Sequence, residues 1–330
     1  MPTIVSIAFF ASLRKTFFVQ TVLTTLPVEA AELLKGGGIV AFPTETVYGL
    51  GANVFDEGAI AKVFQAKERP PDNPLIAHIS SVGHIKELAA EVTESAARLI
   101  ERFFPGPLTV VVKKSARVPD VATAGLDTIG IRKPRNKLAN EFIAACGVPI
   151  VAPSANISGR PSPTTWQAVF EDLNGRIDCI LQGEPSEFGL ESTVVDCTID
   201  PPRVLRPGAV SIEQLREVVL AIDVEGYGSE VPAKSPGLRH RHYSPRAKVV
   251  LVNTGDMMSN IENLGYIGLS SPNARPRLMK VCTDVDDYAR SVFHFFRECD
   301  RSGIETIYCE AVDERRIGTA LMDRIRRAAK

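Results

Sequence analysis

The sequence predicts an α/β protein in two parts: a large twisted mixed sheet with helices, then a smaller C-terminal α/β domain with a parallel sheet. Three observations predict it. The 330 residues exceed the roughly 250–300 at which a single hydrophobic core stops growing. Up to about residue 222, short apolar runs of strand type alternate with helical periodicity across turns rich in Gly and Pro. Beyond a stretch holding Gly226, Gly228, Ser229, Pro232, Ser235, Pro236 and Gly237, the order becomes strand, strand, helix, strand, helix, which suits a parallel sheet. The division expected is an extension over 1–20, a large domain over 21–225, a linker over 226–246 and a small domain over 247–330.

The elements follow in order. Val28 to Lys35 is patterned as a short helix ended by Gly36-Gly37-Gly38, and Ile39 to Phe42 is a strand broken at Pro43. Ile60, Val63 and Phe64 make Glu57 to Lys67 a helix that Pro70 and Pro71 stop. Strands are expected at Leu75 to Ile79, Leu108 to Lys113, Thr128 to Arg132, Pro149 to Ala152, Asp178 to Leu181, Thr193 to Cys197 and Arg203 to Leu205. Helices intervene at Glu94 to Phe104 and Leu138 to Cys146, and Thr164 with Gln167 forms a capping box opening a helix through Leu173. In the second part, strands at Val249 to Val252, Leu264 to Leu269 and Glu305 to Cys309 alternate with helices at Asp286 to Arg301 and Ile317 to Ala329.

Composition excludes several classes. With 38 basic and 39 acidic residues the net charge is −1, so no global field draws the chain to nucleic acid or anionic membrane, and any basic site is local. The six cysteines are scattered without a CxxC pair, which reads as reduced core residues and no zinc site; His240 and His242 have no further ligand at metal spacing. Ile4 to Leu13 is too short to span a bilayer, and Arg14-Lys15 follows it, where a secretory signal carries its charge first. A cytoplasmic protein is the expectation.

Five groups of residues can carry chemistry. Ser154-Ala155-Asn156 is a polar lip after the apolar run ending at Pro153, suited to a small polar ligand. Lys67 and Arg69 close a helix, reading equally as solvated charge or as a phosphate clamp. Arg132 ends a strand and is either a surface charge or a fork for a carboxylate. His78, on an apolar strand, is a core histidine or a substrate contact. The polar turn Thr44-Glu45-Thr46-Val47-Tyr48 needs partners if buried. There is no GxxxxGK[ST] loop, and Gly36 precedes a strand, so neither P-loop nor dinucleotide fingerprint is present.

Taken together, Pro43-Thr44-Glu45-Thr46-Val47-Tyr48-Gly49-Leu50-Gly51, Lys67-Glu68-Arg69-Pro70, Asn73-Pro74-Leu75, Pro105-Gly106-Pro107-Leu108-Thr109, Ser154-Ala155-Asn156, Arg160-Pro161-Ser162-Pro163-Thr164, Glu191-Ser192-Thr193 and Leu205-Arg206-Pro207-Gly208 closely resemble the threonylcarbamoyl-AMP synthases of the YrdC/Sua type. Ser235 to Pro245 and Ile317 to Arg324 resemble the linker and C-terminal end of the longer, two-domain form.

The resemblance implies a YrdC-like catalytic domain and a Rossmann-like C-terminal domain. It implies synthesis of threonylcarbamoyl-AMP from L-threonine, bicarbonate or CO2, and ATP, with pyrophosphate released; a separate complex then modifies the adenosine beside the anticodon of tRNA. Lys67, Arg69, Asn73, Thr128, Ser154, Asn156, Ser162, Arg206 and Tyr243 fall where the family holds ATP, with Lys67 and Arg69 as catalytic cations. Thr46, His78, Arg132, Ala152 and Ser192 fall where it holds threonine. Mg2+ is expected on the phosphates of ATP. The linker would reach back over the nucleotide, and deleting everything after Arg246 is expected to leave that contact intact. Two other readings stand beside this one: an RNA-binding module using a basic concave surface, and a module handling carbamoyl-adenylate.

Overall fold

A computed structural model of the chain describes residues 20–224, 243–256, 263–273 and 275–330. All but Gln20 of the expected extension, and the linker before Tyr243 with His240 and His242, lie outside the described residues.

The first part runs β1 (Val22–Thr24), α1 (Pro27–Lys35), β2 (Val40–Phe42), β3 (Gly49–Asn53), α2 (Glu57–Ala66), β4 (Ile76–His78), α3 (Ile85–Leu88), α4 (Glu94–Phe103), β5 (Leu108–Lys113), α5 (Asp120–Thr123), β6 (Thr128–Arg132), α6 (Lys137–Cys146), β7 (Ile150–Val151), α7 (Trp166–Leu173), β8 (Cys179–Leu181), β9 (Thr193–Asp196), β10 (Arg203–Arg206) and α8 (Ile212–Val218). Its strands form one ten-stranded sheet in the order β1-β8-β2-β3-β7-β4-β6-β5-β9-β10. Pairing is mixed: β4 with β6 and β5 with β9 are parallel, whereas β3 with β7 and β5 with β6 are antiparallel. Apolar residues cover both faces of the sheet's centre, so its strands are buried runs with little alternation, as helices on both sides require.

The second part runs β11 (Lys248–Val252), β12 (Leu264–Gly268), β13 (Leu278–Val281), α9 (Val285–Arg301), β14 (Thr306–Glu310) and α10 (Ile317–Ala328). Its four strands are all parallel, in the order β11-β14-β12-β13. Tyr288, Phe293, Phe296, Ile307 and Leu321 sit in its core, which also takes in Val47, Leu190 and Tyr243. Arg297 of α9 clamps Asp172 of α7, Nη2 to Oδ2 at 2.7 Å, and donates to the Pro161 carbonyl at 2.6 Å.

The expected elements are present, with differences that have physical reasons. β3 is rich in glycine and reads as turn, yet it pairs with β2 and β7; its glycine at 51 lets the strand lie close to Ile150, whose Cγ2 a side chain there would meet at 2.8 Å. The expected Thr164 capping box is corrected: Thr165 caps α7 by accepting from Ala168 N, and the structure's capping box is Ser211 with Gln214 on α8. All six cysteines are free and buried. No described helix is long and apolar enough to cross a membrane.

Candidate active site

A cavity of about 70 Å3 opens where several strand ends meet. The turn after β2 supplies Thr44 and Thr46, the ends of β4 and β6 supply His78 and Arg132, and the loop after β7 supplies Ala152 and Ser154. Glu191 and Ser192 before β9, Arg206 at the end of β10, Arg69 and Tyr243 complete it.

Arg132 is the organising cation. Its Nη2 donates to Glu45 Oε1 at 2.6 Å, its Nη1 to Thr46 Oγ1 at 2.8 Å, and its Nε to the Gly106 carbonyl at 3.3 Å. A guanidinium has five N–H groups, so two remain beyond these three bonds. Both partners of the ion pair are buried, with side chains 5 % and 2 % exposed, so removing one would cost about 3–5 kcal/mol.

Beside it, burial and then the Arg132 charge hold the His78 imidazole down to about 3. The ring is therefore neutral at physiological pH. Its Nδ1 lies 3.1 Å from the Ile76 carbonyl; a carbonyl only accepts, so the proton is on Nδ1 and Nε2 is an acceptor. Tyr48 is buried but points its hydroxyl at the Gly183 carbonyl, 2.8 Å away, which makes it a structural wall.

A second polar region surrounds Lys67, the residue that caps the C-terminal end of α2. Its ammonium is buried and donates to the Ser154 carbonyl at 2.5 Å and the Asn156 carbonyl at 2.6 Å, so it braces the 154–156 loop. Burial, and then Arg69, push its pKa well below the usual lysine value. Arg69 is lowered by burial to about 10 and stays charged at neutral pH; its Nη2 reaches the Asn73 carbonyl at 3.2 Å. Three buried polar atoms here have no partner: Arg69 Nε, Asn73 Oδ1 and Asn156 Oδ1. One donor and two acceptors left unsatisfied in one neighbourhood cost roughly 1–3 kcal/mol each unless a ligand meets them.

The opposite wall depends on a close approach. A side chain at Gly208 would meet Thr193 N at 2.2 Å, so only glycine lets the 206–208 turn lie against Ser192. Arg206 consequently donates from Nε to the Ser192 carbonyl and from Nη2 to Ser192 Oγ, both at 3.1 Å. Ser192 Oγ also pairs with Thr109 Oγ1 at 2.8 Å. Glu191 accepts from Ser162 Oγ at 2.5 Å and from Arg324 Nε at 2.8 Å. Burial raises its pKa, but Arg324 and then Arg206 outweigh that, and the carboxyl ends below its usual range.

Tyr243 roofs the cavity from the second core. Its ring stacks on Phe293 of α9, with centroids 5.4 Å apart and planes at 22°, and Arg324 lies 5.3 Å from its centroid. Its φ of +65° is unfavourable for a residue with a side chain and is held by this packing. Phe293 and Arg324 both lie within residues 247–330, so these two contacts tie the Tyr243 ring to the second part of the molecule.

Of the sequence candidates, Thr46, His78, Arg132, Ala152 and Ser192 line the cavity together with Arg69, Ser154, Arg206 and Tyr243. Lys67, Asn73, Asn156 and Ser162 stand behind the wall, joined to it by the hydrogen bonds given above. Thr128 is buried at the far end of β6 from Arg132, about 13 Å along the strand. Sequence reasoning assigned no role to Glu45, Glu191 or Arg324. For Arg324 a signal existed: Ile317, Ala320, Leu321, Ile325 and Ala328 form one apolar helix face, and Arg324 falls on that face.

Comparison with known proteins decides the family. Residues 32–208 match the Sua5, YciO and YrdC family, whose description is telomere recombination, and residues 210–330 match the threonylcarbamoyl-AMP synthase C-terminal domain. The chain belongs to the threonylcarbamoyl-AMP synthase family. Among members, the threonylcarbamoyl-AMP synthase of Pyrococcus abyssi is 44% identical over 316 residues, covering 91% of this chain and 93% of that one. That of Bacillus subtilis is 38% identical over 319 residues, covering 91% and 92%. The crystal structure of Pyrococcus abyssi Sua5 complexed with L-threonine superposes with a TM-score of 0.86 at 40% identity, over 94% of this chain and 97% of that one. The two-sheet architecture is thus that of a threonylcarbamoyl-AMP synthase.

Proposed function

We propose that this protein makes threonylcarbamoyl-AMP from L-threonine, bicarbonate or CO2, and ATP, releasing pyrophosphate, for transfer by a separate complex to the adenosine beside the anticodon of tRNA. The observation that carries this is one pocket with two kinds of wall. Arg132, Thr46, His78 and Ser192 give a compact, charge-balanced end for an amino acid. Arg69, with the unpartnered Asn73 and Asn156 oxygens, gives a polar end for a nucleotide.

In this reading the two spare N–H groups of Arg132 take the threonine carboxylate. Thr46 and Ser192 orient the substrate, the small Ala152 leaves room for it, and His78 Nε2 accepts a hydrogen bond from its amine. The amine nitrogen adds to the carbon of CO2 and loses a proton, giving a carbamate. A carbamate oxygen then bonds to the α-phosphorus of ATP as the bond to the bridging oxygen breaks, and pyrophosphate leaves with that oxygen. Lys67, Arg69 and Arg206 neutralise the triphosphate and the departing pyrophosphate. Ser154 supplies a hydroxyl along the nucleotide, Ser162 holds Glu191 from behind the wall, and Tyr243 excludes water above the site.

The described residues hold no group of three or more His, Cys, Asp or Glu arranged for a metal, and Glu45 and Glu191 are committed to Arg132 and Arg324. Magnesium therefore fits here on the phosphate oxygens of ATP, where it would add charge neutralisation.

The test is pyrophosphate release together with mass-spectrometric detection of threonylcarbamoyl-AMP. Both are expected only when threonine, bicarbonate and ATP are all present. Release without threonine would favour handling of carbamoyl-adenylate, and no release with salt-sensitive RNA binding would favour an RNA module.

A further inference from the structure

Arg324 belongs to the second part of the molecule, yet its guanidinium ends at the wall of the cavity. It is 0 % exposed and among the largest fully buried side chains. Its Nε donates to Glu191 Oε2 at 2.8 Å, its Nη2 to the Pro207 carbonyl at 3.0 Å, and its Nη1 to Asp323 Oδ2 at 2.6 Å. Its face lies against the Tyr243 ring. One side chain thus touches the acidic residue of the cavity wall, the turn that carries Arg206, and the roof. Glu191 and Arg324 are 133 residues apart in sequence.

We propose that Arg324 is a positioning residue for the nucleotide: by neutralising Glu191 and bracing the Tyr243 ring, it keeps the Glu191 charge from opposing the phosphates and makes the pocket depend on α10. The inference rests on the function proposed above. Glu191 is a carboxylate in the wall of a pocket assigned to a polyanion. Left uncompensated, its charge would oppose the triphosphate and draw Arg206 toward itself, since Arg206 is its next cation after Arg324. Arg132, at the end of β6, and Thr46, in the turn after β2, make their bonds with Glu45 and each other, apart from this network.

The experiment compares the full-length protein with Arg324→Gln, Arg324→Gln/Glu191→Gln and Arg324→Lys. Arg324→Gln is expected to raise the KM for ATP about tenfold or more while leaving the KM for threonine within about twofold. Replacing Glu191 as well removes the stranded charge, so the double variant should recover most of the ATP affinity; a purely structural role would give no such rescue. Should Arg324→Gln fail to fold by thermal unfolding, Arg324→Lys carries the test. It keeps the charge and is expected to hold the ATP KM within about threefold, and a tenfold rise overturns the proposal. An unchanged ATP KM in Arg324→Gln, or a double variant no better than the single, also overturns it. Affinity for a non-hydrolysable ATP analogue gives the same comparison without turnover. A wild-type protein that binds the analogue but releases no threonine-dependent pyrophosphate counts against the reaction; equal analogue affinity in wild type and Arg324→Gln counts against the role of Arg324.

Discussion

Arg132 Nη2 and Glu45 Oε1 meet at 2.6 Å inside the protein, although the residues are 87 positions apart. Glu45 Oε2 in turn accepts from the backbone of Arg135 and Asn136. The pair therefore fixes the turn after β2 to the end of β6.

Arg132→Ala should be destabilised by about 3–5 kcal/mol, because it strands the Glu45 carboxylate. The pair Arg132→Ala/Glu45→Gln should regain much of that stability in urea unfolding without regaining threonine-dependent pyrophosphate release. If activity returned along with stability, Arg132 would have no part in holding the threonine carboxylate.

His78 makes stability depend on pH. Its folded value of about 3 lies below the ordinary 6.5, so between those values the unfolded chain binds the extra proton. Stability is fully present above 6.5 and falls as the pH drops toward 3, with a slope of up to about 1.4 kcal/mol per pH unit. His78→Gln should flatten that slope in urea titrations from pH 6.5 to 4; an unaltered slope would assign it to other groups.

Lys67 predicts proton uptake. Its ammonium is disfavoured by burial and Arg69, and an arriving triphosphate would favour it, so ATP binding should take up a fraction of a proton in the pH range where Lys67 is partly neutral without ATP. Calorimetry in two buffers of different ionisation enthalpy measures this directly. The uptake should vanish in Lys67→Met, which should also lose about 1–3 kcal/mol, because the Ser154 and Asn156 carbonyls lose their donor.

The buried contact of Arg297 with Asp172 predicts coupling between the two cores. Both side chains are nearly inaccessible, 6 % and 1 % exposed. Arg297→Ala should cost about 3–5 kcal/mol, and calorimetric unfolding should broaden or split as the second sheet melts apart from the first. A single sharp transition at the wild-type temperature would mean that the Arg297–Asp172 contact does not hold the cores together.

Local pattern carried much of this protein, and long-range pairing did not. The helix over 57–66, the strand ending at Arg132 and the alternation after residue 247 were legible because periodicity and stop residues coincide there. β3 was not, since its glycines erase the side-chain pattern, and β1 and β13 offer only three and four residues. The site's residue types were legible in the turn after β2 and in Ser154-Ala155-Asn156. Sequence could not show that Lys67 points inward to brace a loop, because a cation closing a helix reads the same whether it faces water or carbonyls. The apolar face of α10 could set Arg324 apart from Arg326 and Arg327, which lie on the more exposed side, but not show that it pairs with Glu191, 133 residues away.

The order of strands bears on synthesis. β1 pairs with β8, joining Val22 to Cys179, and the cavity wall waits further for Arg206, Tyr243 and the brace at Arg324. At a translation rate of about 5–20 residues per second, a growing chain passes many seconds with Thr46 and Arg132 already made but no pocket between them. Such distant pairings also close slowly. A growing chain thus holds most of the substrate-facing residues well before the roof at Tyr243 and the brace at Arg324 are added.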